Sequence, residues 1–504
     1  MTKSPLAFIF IAAVAVSGFS QDVAITGRVT DNLGNGVPRT VIRMGVAALF
    51  AETDANGNYV LGGTVANATL PNPSPKGNAF KEPVFVAGKV LFSLPQDNMR
   101  VTMGIYDLSG RFVKSILNKT MNTGNYSISV NKSRLSSQFY ALRTSVNGHT
   151  SVMKFPSVSN WLDYAGLRTS SENHSGLQKL AAVLDTLHAT APGYSIAVKP
   201  IEAFTGAYDF TLTKTTTWNG DTVAFWGDVS QIPKTPITFK IINRTNGAFA
   251  DSQIYWAHGD NGIPQRLSTV STINLANDPA GRLYVMVGQT DFKDPKNCWD
   301  FEEHTTGGGT YNGNTTRVDG FGVPMTLRLH CADGYDITIG EDYFVFYQSR
   351  QSRIDEFVNE VPREFTQLAF VDAPGRIPSG YRSGLFTPTS ANKDYYTAYV
   401  DSVWAVRKMT SAKPTCYDII GNEGPGNVSS LGSALNRHVA ELDESKWTDA
   451  SLFYKKAPCN FYSRFMHRRS LRNKCYGFPY DDYGNQAAFI SHGGAQWLII
   501  AVGY

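Results

Sequence analysis

Charge is scarce along this chain of 504 residues, and so are cysteine and long apolar runs. Charged residues make up 17% and the formal net charge is +4, too small an excess to point to nucleic acid as a partner. The five cysteines, Cys298, Cys331, Cys416, Cys459 and Cys475, all lie in the C-terminal half. An odd count leaves at least one thiol over, and the spacings fit no zinc motif, so a metal is not expected, and nothing in the chain implies a cofactor. After the first twenty residues no stretch is apolar enough to span a membrane. The one basic cluster, Arg464, His467, Arg468, Arg469, Arg472 and Lys474, reads as a solvated surface face.

Residues 1–20 have the order of a secretory signal: Lys3, an apolar run from Leu6 to Val16, then small Gly18 and Ser20. The mature chain is expected to start at Gln21, with no lipid anchor because no cysteine follows. The expected location is secreted or at a bacterial cell surface. Aromatics reach 12%, which marks a globular chain, and the length suits two to four domains.

Residues 22–66 alternate short apolar strands with turns at Asn35-Gly36 and Asn56-Gly57. The run Thr53-Asp54-Ala55-Asn56-Gly57-Asn58-Tyr59 resembles the carboxypeptidase regulatory-like domain, a small Ig-type sandwich. The ending which that fold implies occurs only at Pro192-Gly193-Tyr194 and Tyr208–Leu212. The expectation is one sandwich, 21–66 with 181–214, interrupted by an insertion. Within the insertion, Leu70 to Gly77 reads as a linker and 156–180 as loop. Residues 83–156, with Ile105-Tyr106-Asp107-Leu108-Ser109-Gly110-Arg111 and Phe139-Tyr140-Ala141-Leu142-Arg143, resemble the β-sandwich of bacterial secretion-sorting modules. Residues 215–231, rich in Thr with Asn219-Gly220, read as a second linker. Strands are expected at 237–243, 253–258 and 282–287. Helices are expected from 354 to 368, interrupted by Pro362, and from 429 to 442 with Ser429 as N-cap and His438 on a core stripe.

The chemistry gathers in 299–325. Trp299, Phe301, Glu303 and Thr305 alternate as one face of a strand, Gly307, Gly308 and Gly309 break it, Asn312-Gly313 is a turn signal, and a second strand runs from Thr315 to Asp319. Such a pairing sets Glu303 and Asp319 near one another. Glu302, the neighbour of Glu303, falls on the opposite face. Two carboxylates flanking a cleft suit glycosidic cleavage, one protonated for the leaving oxygen and one ionised. Solvated strand acids are the plain alternative. The last block, 453–482, mixes Asn460, Tyr462, His467, Tyr480, Asp481 and Asp482, and planar aromatics with amides and carboxylates suit sugars. Tyr462 and Tyr480 as core and Asp481 as a turn cap is the alternative there.

The ordered residues Trp299, Asp300, Phe301, Glu303, Thr305, Asn314, Thr316, Val318, Asp319 and Pro324 resemble the core of the family 64 glycoside hydrolases, endo-β-1,3-glucanases, and the resemblance spans about 232–504. It implies a mostly β fold in which a thaumatin-like β-barrel and a mixed α/β subdomain form a groove behind the N-terminal Ig-like β-sandwich modules. It implies Glu303 as general acid and Asp319 as general base of an inverting enzyme. Trp299, Thr305, Asn314, Thr316, Asn460, Tyr462, His467, Tyr480, Asp481 and Asp482 follow as substrate-binding candidates. The implied partner is β-1,3-glucan, acted on by a monomer. The rivals are a non-catalytic β-glucan-binding protein and a cell-surface adhesion protein.

Overall fold

The computed structural model describes residues 20–504 apart from 46–48, 67–83, 87–88, 95, 108–109, 130–138, 157–177, 180–184, 202, 422 and 424–428. The expected signal up to residue 19, the linker at 70–77, Leu108 and Ser109, and most of the loop at 156–180 lie outside the described residues. The fold is mostly β, 39% strand against 18% helix, and divides into two compact units.

The first unit is built on residues 61–184. One sheet runs His149–Pro156, Phe139–Val146, Met99–Tyr106, Phe112–Met121, and a second runs Gln178–Lys179, Gly124–Ser129, Lys89–Leu94, Val84–Val86. Alternate side chains of these strands, among them Val90, Val101, Ile105, Leu142 and Val146, make one buried core, as the two-residue repeat of a half-buried strand demands.

The second unit holds 27–60, 185–200 and 208–504. Its front part joins distant stretches of chain: Val41 pairs with Thr190 and Met44 with Leu187 in antiparallel register, and Val29 pairs with Phe210 in parallel. This front part packs directly on the C-terminal region. Glu52 is held by Arg464 at 2.8 Å, Arg468 at 3.0 Å and Lys455 at 3.1 Å. Phe50 meets Phe461 edge-on at 5.3 Å, and Arg43 Nε donates to the Asn359 carbonyl at 3.0 Å. Residues 232–504 thus take part of their ion pairing from the front part, Arg464 from Glu52 and Arg468 from Glu52 together with Glu360 at 2.9 Å. The basic cluster is a solvated face only at Arg472, with Lys474 half-buried. Arg464, Arg468 and Arg469 are buried, and Arg469 pairs with Glu356 at 2.6 Å and Glu360 at 3.0 Å. Interior carboxylates on distant elements neutralise it, which no local pattern reveals.

Two sheets frame the C-terminal region. The six-stranded sheet runs Gln265–Arg266, Ile254–His258, Asp278–Val287, Trp299–Gly307, Thr310–Thr315, Phe489–His492. The five-stranded sheet runs Thr272–Asn274, Thr238–Asn243, Ala495–Val502, Met325–Cys331, Asp336–Gly340. Phe239, Ile254, Val285, Tyr311, Leu327 and Ile500 fill one core together. Hydrogen bonds close no barrel among the described residues, so the expected barrel half is a pair of sheets. A helical layer carries a separate core around Phe357, Phe365, Trp404 and Phe461.

Three local expectations change. The supposed linker at 215–231 contains the helix Thr222–Trp226, capped by Asp221, and buries Phe225 and Trp226 beside Phe346 and Trp497. Its apolar aromatics outweigh its turn-forming residues. The first predicted helix is Arg350–Glu360, and a new helix, Arg363–Thr366, starts after Pro362, whose ring cannot continue the first. The second stops at Asn436. His438 has a φ of 58°, and its Nδ1 lies 2.7 Å from the Pro458 carbonyl while its ring stacks on Tyr399.

Burial opposes the charge of Glu52, but Arg468, Arg464 and Lys455 together hold its carboxyl well below the ordinary value of 4.5. A depressed carboxyl stabilises the fold above its unfolded-state pKa and loses that contribution as pH falls through the window beneath it. The melting temperature of Glu52→Gln should therefore lie below that of the parent at pH 7, with the gap narrowing below about pH 4.5. A gap that stays constant from pH 7 to pH 3 contradicts this account.

Candidate active site

The hairpin carrying Glu303 turns at Gly308-Gly309, where φ is 58° and 75°, the positive pair that a two-residue turn requires. The second strand is Thr310–Thr315, so Asn312-Gly313 lies inside a strand, with Thr305 facing Asn312 and His304 facing Gly313. The predicted strand 315–319 thus begins five residues earlier and ends before Asp319. Gly313 is glycine because a Cβ there would sit 2.2 Å from the Tyr311 hydroxyl. That hydroxyl donates to Glu302 Oε1 at 2.6 Å, while Glu302 Oε2 lies 2.9 Å from His304 Nδ1. Glu302 is fully buried, and Glu303 lies on the other face.

Glu303 faces Arg282 on one side and Asn314 on the other. Arg282 donates to Glu303 Oε1 from Nε at 3.0 Å and from Nη2 at 2.8 Å, and its guanidinium lies over the Phe301 ring at 5.1 Å. Glu303 keeps 34% of its side chain exposed. The Oδ1 of Asn314 is buried without a hydrogen-bond partner, a free acceptor next to Glu303. Thr316 is bridged to Tyr476 in parallel fashion, and the Tyr476 hydroxyl donates to Asp482 Oδ1 at 3.3 Å. Burial pushes the Tyr476 phenol up, and the charge of Asp482 pushes it further.

Asp319 follows this strand in a loop. Arg382 Nε donates to its Oδ1 at 2.6 Å, and its side chain is 29% exposed. Arg382 also lies over Tyr381, which stacks on Tyr417 at 5.2 Å. The loop is anchored by Arg317, fully buried between Asp300 at 2.7 Å and Glu341 at 2.6 Å. Thr305 is exposed, and its hydroxyl donates to the Pro279 carbonyl at 3.1 Å.

The remaining candidates divide by burial. Trp299 is packed against Tyr284 and Phe301, its indole nitrogen donating to the Asp294 carbonyl at 2.9 Å and Arg376 lying 4.0 Å over its ring. Asn460 caps the helix Phe461–Arg468. Tyr462 donates to the Arg317 carbonyl at 2.9 Å. Asp481 receives Arg437 at 2.8 Å and His467 at 2.8 Å. Burial opposes its charge, yet His467 and Arg437 hold the carboxyl below its ordinary range. Trp299, Asn460, Tyr462, His467 and Asp481 are all buried, so in this structure their side chains are out of reach of a polysaccharide. They shape and support the surface that carries Tyr480, 55% exposed, and Asp482. Sequence reasoning missed Arg282, Arg382 and Tyr476 as neighbours of the two acids. Antiparallel pairing of 282–287 with the Glu303 strand is the signal that leads to Arg282. Nothing local leads to Arg382.

Glu303 and Asp319 are thus two accessible carboxylates, each with one oxygen held by an arginine. Residues 286–410 and 406–502 match the model of glycoside hydrolase family 64, β-1,3-glucanase. Among solved structures, the β-1,3-glucanase domain from Clostridium beijerinckii is 23% identical with a TM-score of 0.45, covering 53% of this chain and 98% of that one. The laminaripentaose-producing β-1,3-glucanase from Paenibacillus barengoltzii is 22% identical with a TM-score of 0.49, covering 84% and 100%, and its complex with laminarihexaose has the same values. The search of curated proteins found no match.

Because Glu302 is enclosed by Tyr311 and His304, Glu302→Gln is not the mild change its neighbouring position suggests. It should cost about 1–3 kcal/mol of stability, measured by urea unfolding. Glu303→Gln should change stability much less. Equal effects of the two substitutions contradict the assigned faces.

Proposed function

We propose that the protein is a secreted endo-β-1,3-glucanase that cleaves with inversion, Glu303 protonating the departing glycosidic oxygen and Asp319 activating the attacking water. The observation that carries this reading is the family match across 286–502, the segment that contains both carboxylates. The local geometry supports it. Glu303 and Asp319 are solvent-accessible while the acids around them, Asp300, Glu302 and Asp481, are interior. Asp319 has Oδ1 engaged by Arg382, which orients the carboxylate for a water at its other oxygen. Thr305 is exposed and Asn314 half-buried along the same hairpin, where they can bind sugar hydroxyls, whereas Thr316 is buried, and Tyr480 with Asp482 offers an exposed ring and acceptor. The protein acts alone on β-1,3-glucan in this reading.

A non-catalytic glucan-binding or adhesion protein has one observation on its side: the Arg282 pair at 2.8 Å engages the carboxyl that must deliver the proton. Reducing-end release from laminarin and curdlan separates the two. Binding to insoluble glucan without product supports the non-catalytic reading.

Glu303→Gln should lower the rate of release by roughly 10²–10⁴-fold, with glucan binding and melting temperature retained. Inversion needs room for water, so the carboxyl groups should stand roughly 6.5–9.5 Å apart in the substrate complex. Proton NMR early in laminarin digestion should then show the α-anomer first. A β-anomer, or a glycosyl ester on Asp319, overturns the assigned roles.

A further inference from the structure

We propose that His258, Asp278 and His304 bind a divalent cation of the Zn²⁺ class. Their ligating atoms all lie within 4.8 Å of one another. They come from three neighbouring strands of the six-stranded sheet: His258 ends Ile254–His258, Asp278 opens Asp278–Val287, and His304 lies in Trp299–Gly307. No spacing motif could announce such a set, and the cysteines, on which the sequence expectation of no metal rested, take no part in it.

The donor geometry favours a cation. The Nε2 atoms of His258 and His304 both point at Asp278 Oδ2, His304 from 3.0 Å. His304 Nδ1 faces Glu302 Oε2 at 2.9 Å, and Tyr311 donates to the other oxygen of Glu302 at 2.6 Å. A carboxylate on Nδ1 fixes the ring proton there and leaves the Nε2 lone pair for a metal, the usual support of a zinc-bound histidine. Two imidazoles and one carboxylate with a further open position suit zinc and its neighbours. His258, about one-third exposed, leaves the approach to solvent. The register shifts between Asp278 and Gly281. A Cβ on Gly281 would lie 2.1 Å from His304 Nε2 and 2.3 Å from Asp278 Oδ2, so any larger residue would fill the space between the ligands. A bound ion would clip three strands together directly behind Glu303, on the opposite face of its strand.

The test uses the full-length, untagged protein, stripped with EDTA, dialysed and titrated with Zn²⁺ calorimetrically. Co²⁺ serves as a visible-absorption probe of its ligands. One equivalent should bind and raise the melting temperature. His258→Ala and Asp278→Asn should abolish stoichiometric binding, and His258→Ala should keep the parent's circular dichroism because that side chain lies at the surface. Glu302→Gln should weaken binding by about 10–100-fold. Absence of stoichiometric binding, or unchanged binding by His258→Ala, overturns the proposal and leaves a purely hydrogen-bonded cluster. Loss of binding with His492→Ala but not with His258→Ala assigns the ion to Cys331, Asp333 and His492 and overturns it equally.

Discussion

The arginine at 317 is the junction on which the C-terminal region depends. Its guanidinium has no access to water and lies between Asp300 and Glu341. Burial alone would lower its pKa, but the two carboxylates more than reverse that and raise it. Asp300 also takes Arg376 at 3.0 Å and the backbone N–H of Gly322 at 2.7 Å, and Glu341 takes the N–H of Met325 at 2.7 Å. One ionic cluster thus ties the Glu303 strand, the Asp319 loop and the five-stranded sheet into a single frame. Taking one partner from such a buried set costs about 3–5 kcal/mol, because the charge left behind has no water. The two accessible acids therefore ride on strands and loops whose positions are held from beneath.

A second buried set does the same for the opposite side of the candidate site. Asp481 gathers Arg437, His467, Ser463 and the N–H of Gly477, and so shapes the turn that presents Tyr480 and Asp482. The front part of the second unit contributes in the same manner at longer range, through Glu52 on Arg464 and Arg468. In each case a carboxylate distant in sequence neutralises a buried arginine. Charges in this protein are few, and many of those in the C-terminal region are spent inside it as connectors. That use explains why a cluster of basic residues in the sequence turns out to be mostly interior.

How far the site was legible follows from the range of each signal. The alternation Trp299, Phe301, Glu303 was visible because the side-chain repeat of a strand is two residues, and it separated Glu303 from Glu302. Asn312-Gly313 has turn chemistry, yet the Gly308-Gly309 pair satisfies the same demand, and Tyr311 needs a glycine two residues on, on the same face of its strand, to reach Glu302. The short polar stretch at 215–231 reads as a linker because its aromatics show no periodicity of their own and find their partners, Phe346 and Trp497, far along the chain.

By itself the sequence determined the strand-rich class, the two carboxylates worth watching and the family that the C-terminal region resembles, all of which rest on short-range patterns or ordered motifs. Tertiary structure alone decided which polar residues stay at the surface. It buried Asn460, Tyr462, His467 and Asp481, placed Arg282 on Glu303 and Arg382 on Asp319, and drew His258, Asp278 and His304 to one point. The reason is physical: burial and ion pairing depend on strand register and on contacts between distant segments, and these take form only when the sheets close on their core and the helical layer on its own.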